Sequence, residues 1–274
     1  MITEESTVVV TGATSGIGLE TARELAGMTR RLIVQGPESA AEVDGVVRDL
    51  DGRKATVVYV PCDFMRLADV VEGARAMVAA ADGQVDALIN NAGVPGSPAR
   101  RLTTDGHERT LQVNLLAMVL LTEQLLPALT RGSRVVNLAS ATHRMTRLDL
   151  ADLELEHGYD PVRAYARSKL AIILYTRWLA ARVAPRRILP VCLSPGVIST
   201  SLLHAMFGTG GASLRHGARN VLAALTDEAQ GGDYFDDGQL VAPSPEASDA
   251  ALGQALMDSV FDALRPFLAV PVTE

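Results

Sequence analysis

A chain of 274 residues with 48% hydrophobic and 21% charged side chains has the composition of a globular protein with an ample core. Its net charge of −7, and arginine clusters that are only isolated pairs (Arg30-Arg31, Arg100-Arg101, Arg186-Arg187), argue against nucleic acid as a partner. Cys62 and Cys192 lack metal-ligand spacing, the N-terminus has no charged region followed by an apolar run, and no stretch approaches about 18 uninterrupted apolar residues; the expectation is a cytoplasmic protein with no metal, disulfide or membrane span.

In chain order, short β-branched runs alternate with helical patterns. Strands are predicted over 7–11, 32–35, 56–60, 85–90, 134–138 and 188–193, and helices over 17–26, 40–50, 67–80, 104–129, 161–183 and 217–226. The strands are apolar on both faces, as in a parallel sheet covered by helices on each side. Regular alternation without a linker predicts one doubly wound α/β domain over 1–274. Residues 198–216 break the pattern: Leu202, Leu203, Met206 and Phe207 lie at near-helical spacing before Gly208-Thr209-Gly210-Gly211. This segment reads as an amphipathic substrate lid on a flexible hinge.

Between the first strand and the first helix runs Thr11-Gly12-Ala13-Thr14-Ser15-Gly16-Ile17-Gly18. Glycines there permit a tight turn and close approach of main chain to a pyrophosphate, which would lie at the positive end of the helix. No lysine follows the last glycine, so it is not a Walker loop. Ser15 has no glycine two places to either side, so it is not a nucleophile elbow. The bland alternative is a plain β-α turn.

Only two lysines occur, against 23 arginines, and Lys169 stands four residues after Tyr165. On a helix that spacing puts phenol and ammonium on one face, where a compact cation favours phenolate and makes tyrosine a general acid/base. A chance surface pair is the competing reading.

The series T-G-x-x-x-G-x-G, Asn90-Asn91-Ala92-Gly93, Ser140, Tyr165-x-x-x-Lys169 and Ser194-Pro195-Gly196 resembles, in that order, the short-chain dehydrogenase/reductase family over about residues 6–200. The segment 135–143, the stretch 164–178 and Gly232-Asp233-Tyr234-Phe235 look most like its retinol dehydrogenase and protochlorophyllide reductase branch. The resemblance implies a Rossmann-type fold, an NADP or NAD cofactor, and hydride transfer between nicotinamide and a carbonyl or secondary alcohol. It assigns Gly12, Thr14, Ser15, Gly16, Ile17 and Gly18 to the pyrophosphate turn, and Asp63 to the adenine amino group, with helix capping as the alternative for Asp63. Asn90, Ala92 and Gly93 fall on the adenosine side and support the sheet, with Asn91 structural. Pro195, Gly196, Val197 and Thr200, after Ser194, fall on the loop that fixes the nicotinamide carboxamide.

By the same resemblance Tyr165 donates the proton, Ser140 holds the oxygen, and Lys169 bonds the ribose. Asn114 holds a water leading to Lys169, unless it serves only a helix kink. After the second strand the family commonly carries an acid for NAD or an arginine for NADP. Gln35-Gly36-Pro37-Glu38-Ser39 shows neither at the usual place, so the branch leans towards NADP while the residues do not choose. His143, in a long insertion after Ser140, is expected at the pocket edge or in a structural role; a Ser140-His143-Asp149 triad is disfavoured because its members share one loop. His143, Leu203, Met206 and Phe207 are the candidate substrate contacts, with a bulky hydrophobic carbonyl as the expected substrate and a homo-oligomer left open. The alternative is a dinucleotide-binding sensor or scaffold without chemistry.

Overall fold

A computed structural model describes residues 2–226 and 228–268. The strands are β1 (Thr7–Val10), β2 (Arg31–Gly36), β3 (Thr56–Pro61), β4 (Val85–Asn90), β5 (Leu129–Leu138), β6 (Leu189–Ser194), β7 (Tyr234–Asp236) and β8 (Gln239–Leu240). They form one sheet in the order β3-β2-β1-β4-β5-β6-β7-β8, parallel except for the β7–β8 pair. The helices are α1 (Gly16–Ala26), α2 (Asp44–Asp51), α3 (Leu67–Ala80), α4 (Arg109–Leu111), α5 (Ala117–Leu125), α6 (Pro161–Val183), α7 (Ser201–Phe207), α8 (Leu214–Ala223) and α9 (Ala250–Leu268).

Side-chain alternation along the strands builds a core on each face. Val9, Ile33, Leu88 and Val135 point to one side, where α3, α5, α6 and α9 supply Val70, Leu120, Ile173 and Leu256. Val8, Val10, Leu32, Val34 and Val136 point to the other, against Leu25 of α1, Leu50 of α2 and Val221 of α8. The doubly wound expectation holds. Strand order reverses between β1 and β4, which opens a crevice at the carboxyl ends of the strands, where ligands of such folds bind.

Several elements differ from the sequence expectation: α2 begins at Asp44 and not at 40, and β5 begins at Leu129 and not at 134. The helix expected over 104–129 begins at Arg109, because residues before it form a turn with Gly106 at φ 91°. Its interior is not all α: Gln112–Leu116 is a π turn. Beyond the last expected helix, β7 extends the sheet and α9 packs beside α6, since Leu256, Met257, Val260 and Leu264 are buried there. The stretch Arg109–Ala128 is long and apolar enough to cross a bilayer, yet 83% of that window is buried inside this fold.

Candidate active site

The crevice is a cleft of about 1260 Å³. At one end the β1–α1 turn places Gly12 at φ 62° and Gly16 at φ 57°, both left-handed, where glycine carries no steric cost. A Cβ on Gly12 would stand 2.8 Å from Ala92 Cα, so the turn lies directly on the strand 4 loop. Asn91 clamps it, its amide Nδ2 donating to the Thr11 carbonyl at 2.9 Å and the Gly12 carbonyl at 3.0 Å. Ser15 opens α1 without a side-chain cap, so the first N–H groups of the helix keep their donors for an anion in the cleft. Gly12, Thr14, Ser15, Gly16 and Ile17 all line the cleft, and Asp63, Ala92 and Gly93 face them.

Gly18 and Asn90, both expected at the cofactor, do not line the cleft. Gly18 faces the turn itself: a Cβ there would sit 2.1 Å from the Gly12 carbonyl oxygen. Its part is to let helix and turn pack. Asn90 ends β4 with its side chain on the covered face, 3% exposed. Its Nδ2 donates to Thr122 Oγ1 at 3.0 Å and to Asn137 Oδ1 at 2.8 Å, and Asn137 Nδ2 donates to Thr176 Oγ1 at 2.9 Å. This polar chain ties two strands to two helices. The Asn90 side chain thus supports the sheet, as expected, from within the core and not from the cleft wall.

At the other end of the cleft Ser140, two residues past β5, converges with Tyr165 and Lys169 of α6. The Ser140 hydroxyl is near enough to the phenol to draw its pKa down, and it accepts from Thr142 N at 3.3 Å. Lys169 Nζ donates to the Leu138 carbonyl at 2.8 Å and lies 5.4 Å from the Tyr165 ring centre. Burial pushes the Tyr165 phenol up to about 12, with the Ser140 contact acting in the opposite sense. Burial also lowers the Lys169 ammonium to about 8. At the phenol, desolvation outweighs the contact with Ser140.

Asn114 stands in the π turn, buried behind this group and outside the cleft wall. Its Oδ1 accepts from Val94 N at 2.8 Å, and its Nδ2 donates to the Val94 carbonyl at 3.1 Å and Ser168 Oγ at 3.0 Å. Both amide hydrogens are used, leaving one oxygen lone pair for anything further. The clasp fixes the loop in which Gly93 borders Lys169: a Cβ on Gly93 would be 3.5 Å from Nζ.

The 194–200 loop also lines the cleft, with Pro195, Gly196, Val197 and Thr200 in the wall. Gly196 has φ 88°, and a Cβ on it would meet Asp237 Oδ1 at 2.6 Å. Asn220 braces the loop, its Nδ2 donating to the Pro195 carbonyl at 3.0 Å and to Asp237 Oδ1 at 2.9 Å. Thr200 caps α7, accepting from Leu203 N at 3.1 Å. Leu202, Leu203 and Phe207 of α7 line the cleft, whereas Met206 does not. No residue of α7 is fully buried. The base of the segment is stapled by hydrogen bonds from Ala212 N to the Val197 carbonyl at 2.8 Å and from Ser199 N to the Ala212 carbonyl at 2.9 Å.

His143 is corrected from substrate contact to framework. It is 0% exposed; its Nδ1 donates to the Ser140 carbonyl at 2.8 Å, and its Nε2 accepts from Ser244 N at 3.1 Å. That pairing requires the neutral ring, and burial lowers its pKa in agreement. It never meets the Ser140 hydroxyl, so no triad forms. Its insertion instead binds the C-terminal strap, with Leu148 N donating to Glu246 Oε1 at 2.7 Å and Arg144 Nη2 to the Ala242 carbonyl at 2.7 Å.

Glu38, Arg109, Asp236 and Asp237 also line the cleft and were not foreseen. The Gly232–Phe235 signal pointed next to the two aspartates, but nothing local showed that β7 would run alongside β6.

Residues 6–209 match the family model for short chain dehydrogenase. Polyprenol dehydrogenase of Mus musculus is 42% identical over 71% of this chain, a match that spans 60% of that enzyme's length. Retinol dehydrogenase 12 of Homo sapiens is 34% identical over 91% of this chain and 83% of its own. Among solved structures, an uncharacterized protein from Mycobacterium Paratuberculosis superposes with a TM-score of 0.81 at 32% identity, covering 95% of this chain and 93% of that one. A short chain dehydrogenase from Burkholderia cenocepacia J2315 in complex with NADP gives 0.68 at 25% identity, over 86% and 98%. With its doubly wound sheet and glycine turn, the chain belongs to the short chain dehydrogenase family and is an NAD(P)-dependent oxidoreductase acting between CH–OH and C=O groups.

Proposed function

We propose that this enzyme transfers hydride between nicotinamide and a carbonyl or secondary alcohol of a bulky hydrophobic small molecule, with Tyr165 as general acid/base. The observation that carries the reading is that Ser140, Tyr165 and Lys169 line the same cleft as the glycine turn, with Lys169 Nζ 5.4 Å from the Tyr165 ring centre. The glycine turn and the uncapped start of α1 suit a dinucleotide pyrophosphate, and the braced 194–200 loop suits its nicotinamide. Such a cofactor, when bound, supplies or takes the hydride.

In the reducing direction the Ser140 hydroxyl holds the carbonyl oxygen as charge gathers on it, and Tyr165 Oη gives it a proton. A phenol held up at about 12 is fully protonated at neutral pH and still far more acidic than an alcohol, so the transfer runs downhill. Lys169 supplies positive charge next to the phenolate left behind. Asn114 positions Lys169 through the 93–94 loop, and its remaining lone pair suits the water expected there. In the oxidising direction the same groups act in reverse, with Tyr165 accepting the alcohol proton.

An apolar substrate fits the cleft mouth, where Val197 is 63%, Phe207 41% and Val241 37% exposed. The names polyprenol dehydrogenase and retinol dehydrogenase point the same way, towards terpenoid-like compounds, with polyketide and steroid-like carbonyls of similar bulk. Segment 198–216 is read as the lid over them. The setting proposed from composition is the cytoplasm. Turnover of a panel of bulky ketones and alcohols with NADH, NADPH and their oxidised forms tests the reading; nucleotide binding without turnover of any of them would favour the silent sensor instead.

A further inference from the structure

The turn between β7 and β8 meets the loop that closes one end of the cleft. Asp237 and Gly238 connect the two strands with φ of 49° and 79°, both left-handed, and the pairs Phe235–Leu240 and Asp236–Gln239 flank them. A two-residue hairpin turn of this handedness matches the twist of its strands and favours an Asp-Gly pair. Asp237 N donates to the Ser194 carbonyl at 3.0 Å, so the turn is fastened beside the end of β6. Its side chain lines the cleft.

The 194–200 loop and α8 meet at one oxygen of this turn, Asp237 Oδ1. Asn220 Nδ2 of α8 donates to it at 2.9 Å and gives its second hydrogen to the Pro195 carbonyl at 3.0 Å. His216 Nε2, in the first turn of α8, donates to it at 2.6 Å. Gly196 faces the same oxygen without a side chain, since a Cβ there would stand 2.6 Å away. Gly238 is equally confined: its Cβ would stand 2.9 Å from Asn220 Oδ1. The bonds from His216 and Asn220 hold the Asp237 carboxyl below its usual range, so it is an ionised acceptor at neutral pH. Segment 198–216 ends in α8, and that end is tied to the same loop, with Gly211 N donating to Ser199 Oγ at 2.6 Å. The cluster is open to solvent, with the Asp237 side chain 58% and that of His216 37% exposed. Its contribution to overall stability is accordingly small, and its effect is local.

We infer that Asp237 is a positioning residue for the cofactor: through Asn220, and with His216 as a second donor, its Oδ1 latches the 194–200 loop in the shape that receives the nicotinamide half. A loop of this kind has no strand ladder to fix it, and Pro195 brings no N–H of its own. Its shape therefore depends on side chains that reach its carbonyls and on the space that Gly196 leaves. A loop ordered before the nucleotide arrives spares binding that ordering cost, which raises affinity for the group it receives. The adenosine half, at the glycine turn, makes no contact with the latch. The acceptor matters here more than the charge, because an amide oxygen in the same place could take both bonds. The inference rests on the reading of this loop as the nicotinamide side of a dinucleotide site.

The test compares two ligands of the purified enzyme without substrate, by calorimetry. One is NADH or NADPH, whichever the wild type binds more tightly; the other is ADP-ribose with the same 2′ group, which lacks nicotinamide. Asp237→Gly removes the carboxylate and keeps the left-handed turn. It should weaken the dinucleotide about tenfold, the scale of one hydrogen bond to a charged group, and leave ADP-ribose within about twofold. Asp237→Asn keeps the acceptor and accepts the left-handed backbone, so it should bind both ligands as the wild type does. Asn220→Ala should reproduce the split of Asp237→Gly, and the double variant should lose no more than either alone. Thermal unfolding of the variants shows that they remain folded. Unchanged dinucleotide affinity in Asp237→Gly, an equal loss for ADP-ribose, or a loss in Asp237→Asn as large as in Asp237→Gly overturns the latch while leaving the dinucleotide site intact. Failure of the wild type to bind any of these ligands would instead remove the dinucleotide reading itself.

Discussion

Replacing Tyr165 by Phe removes one oxygen and its proton from the centre of the site. The ring is 7% exposed and packed in α6, so its apolar contacts persist. The stability loss should be that of one polar contact at most, about 1 kcal/mol or less. The loss in rate should be far larger. General acid catalysis contributes about 10²–10⁴ in rate, which is about 3–5 kcal/mol of barrier. Bulk water is a poor substitute proton donor, because the buried ring leaves it little access to the reacting oxygen. Steady-state turnover in both directions, followed by nicotinamide absorbance, should therefore fall by two decades or more. Nucleotide affinity, measured by titration, should stay within a few-fold, since the glycine turn and the 194–200 loop are untouched. Turnover within about threefold of wild type would remove Tyr165 from the mechanism. Equal losses in turnover and in nucleotide binding would show that the substitution damaged the cleft rather than the proton transfer.

Lys169→Arg should be severely impaired although it keeps the charge, because a planar guanidinium does not fit the ammonium's place between Leu138 and the Gly93 loop. In the wild type the ammonium, lowered to about 8, is lost as pH rises through that value while Tyr165, up at about 12, stays protonated; reductive kcat/KM should decline above pH 8, and the residual activity of Lys169→Arg should lack that limb. Gly18→Ala brings a Cβ to 2.1 Å from the Gly12 carbonyl oxygen, and should lower the unfolding temperature while weakening nucleotide binding; a cost of about 1–3 kcal/mol is expected for such overpacking, and unaltered binding would count against close packing at the turn. Leu203→Ala with Phe207→Ala should reorder the preference among bulky ketones more than it changes cofactor affinity, and an unchanged ranking would take the lid out of substrate selection.

The sequence by itself determined the architecture and the placing of Tyr165 and Lys169 on one helix. Strand and helix alternation, the glycines at 12, 16 and 18, and the four-residue interval from Tyr165 to Lys169 are local signals, set by side-chain period and backbone freedom. Such signals need no knowledge of what lies across the fold. Tyr165 and Lys169 had to share a face once α6 was a helix, and Gly16 had to open α1 once β1 ended before it.

Tertiary structure decided which way the remaining polar residues turned. Asn90 and Ala92 are two apart on one motif, yet Asn90 goes to Thr122 and Asn137 in the core while Ala92 lines the cleft. His143, three residues after Ser140, was open to a pocket-edge or a structural role; its partner Ser244, 101 residues away, decides for the structural one. Glu38 stands past the usual place in the sequence, and its bond with the Thr14 hydroxyl appears only when β2 is laid beside the glycine turn. The fate of a polar side chain rests on which donors and acceptors the fold brings within reach, and a buried group takes the partner that offsets its lost water. Those partners come from distant parts of the chain, so sequence spacing cannot name them.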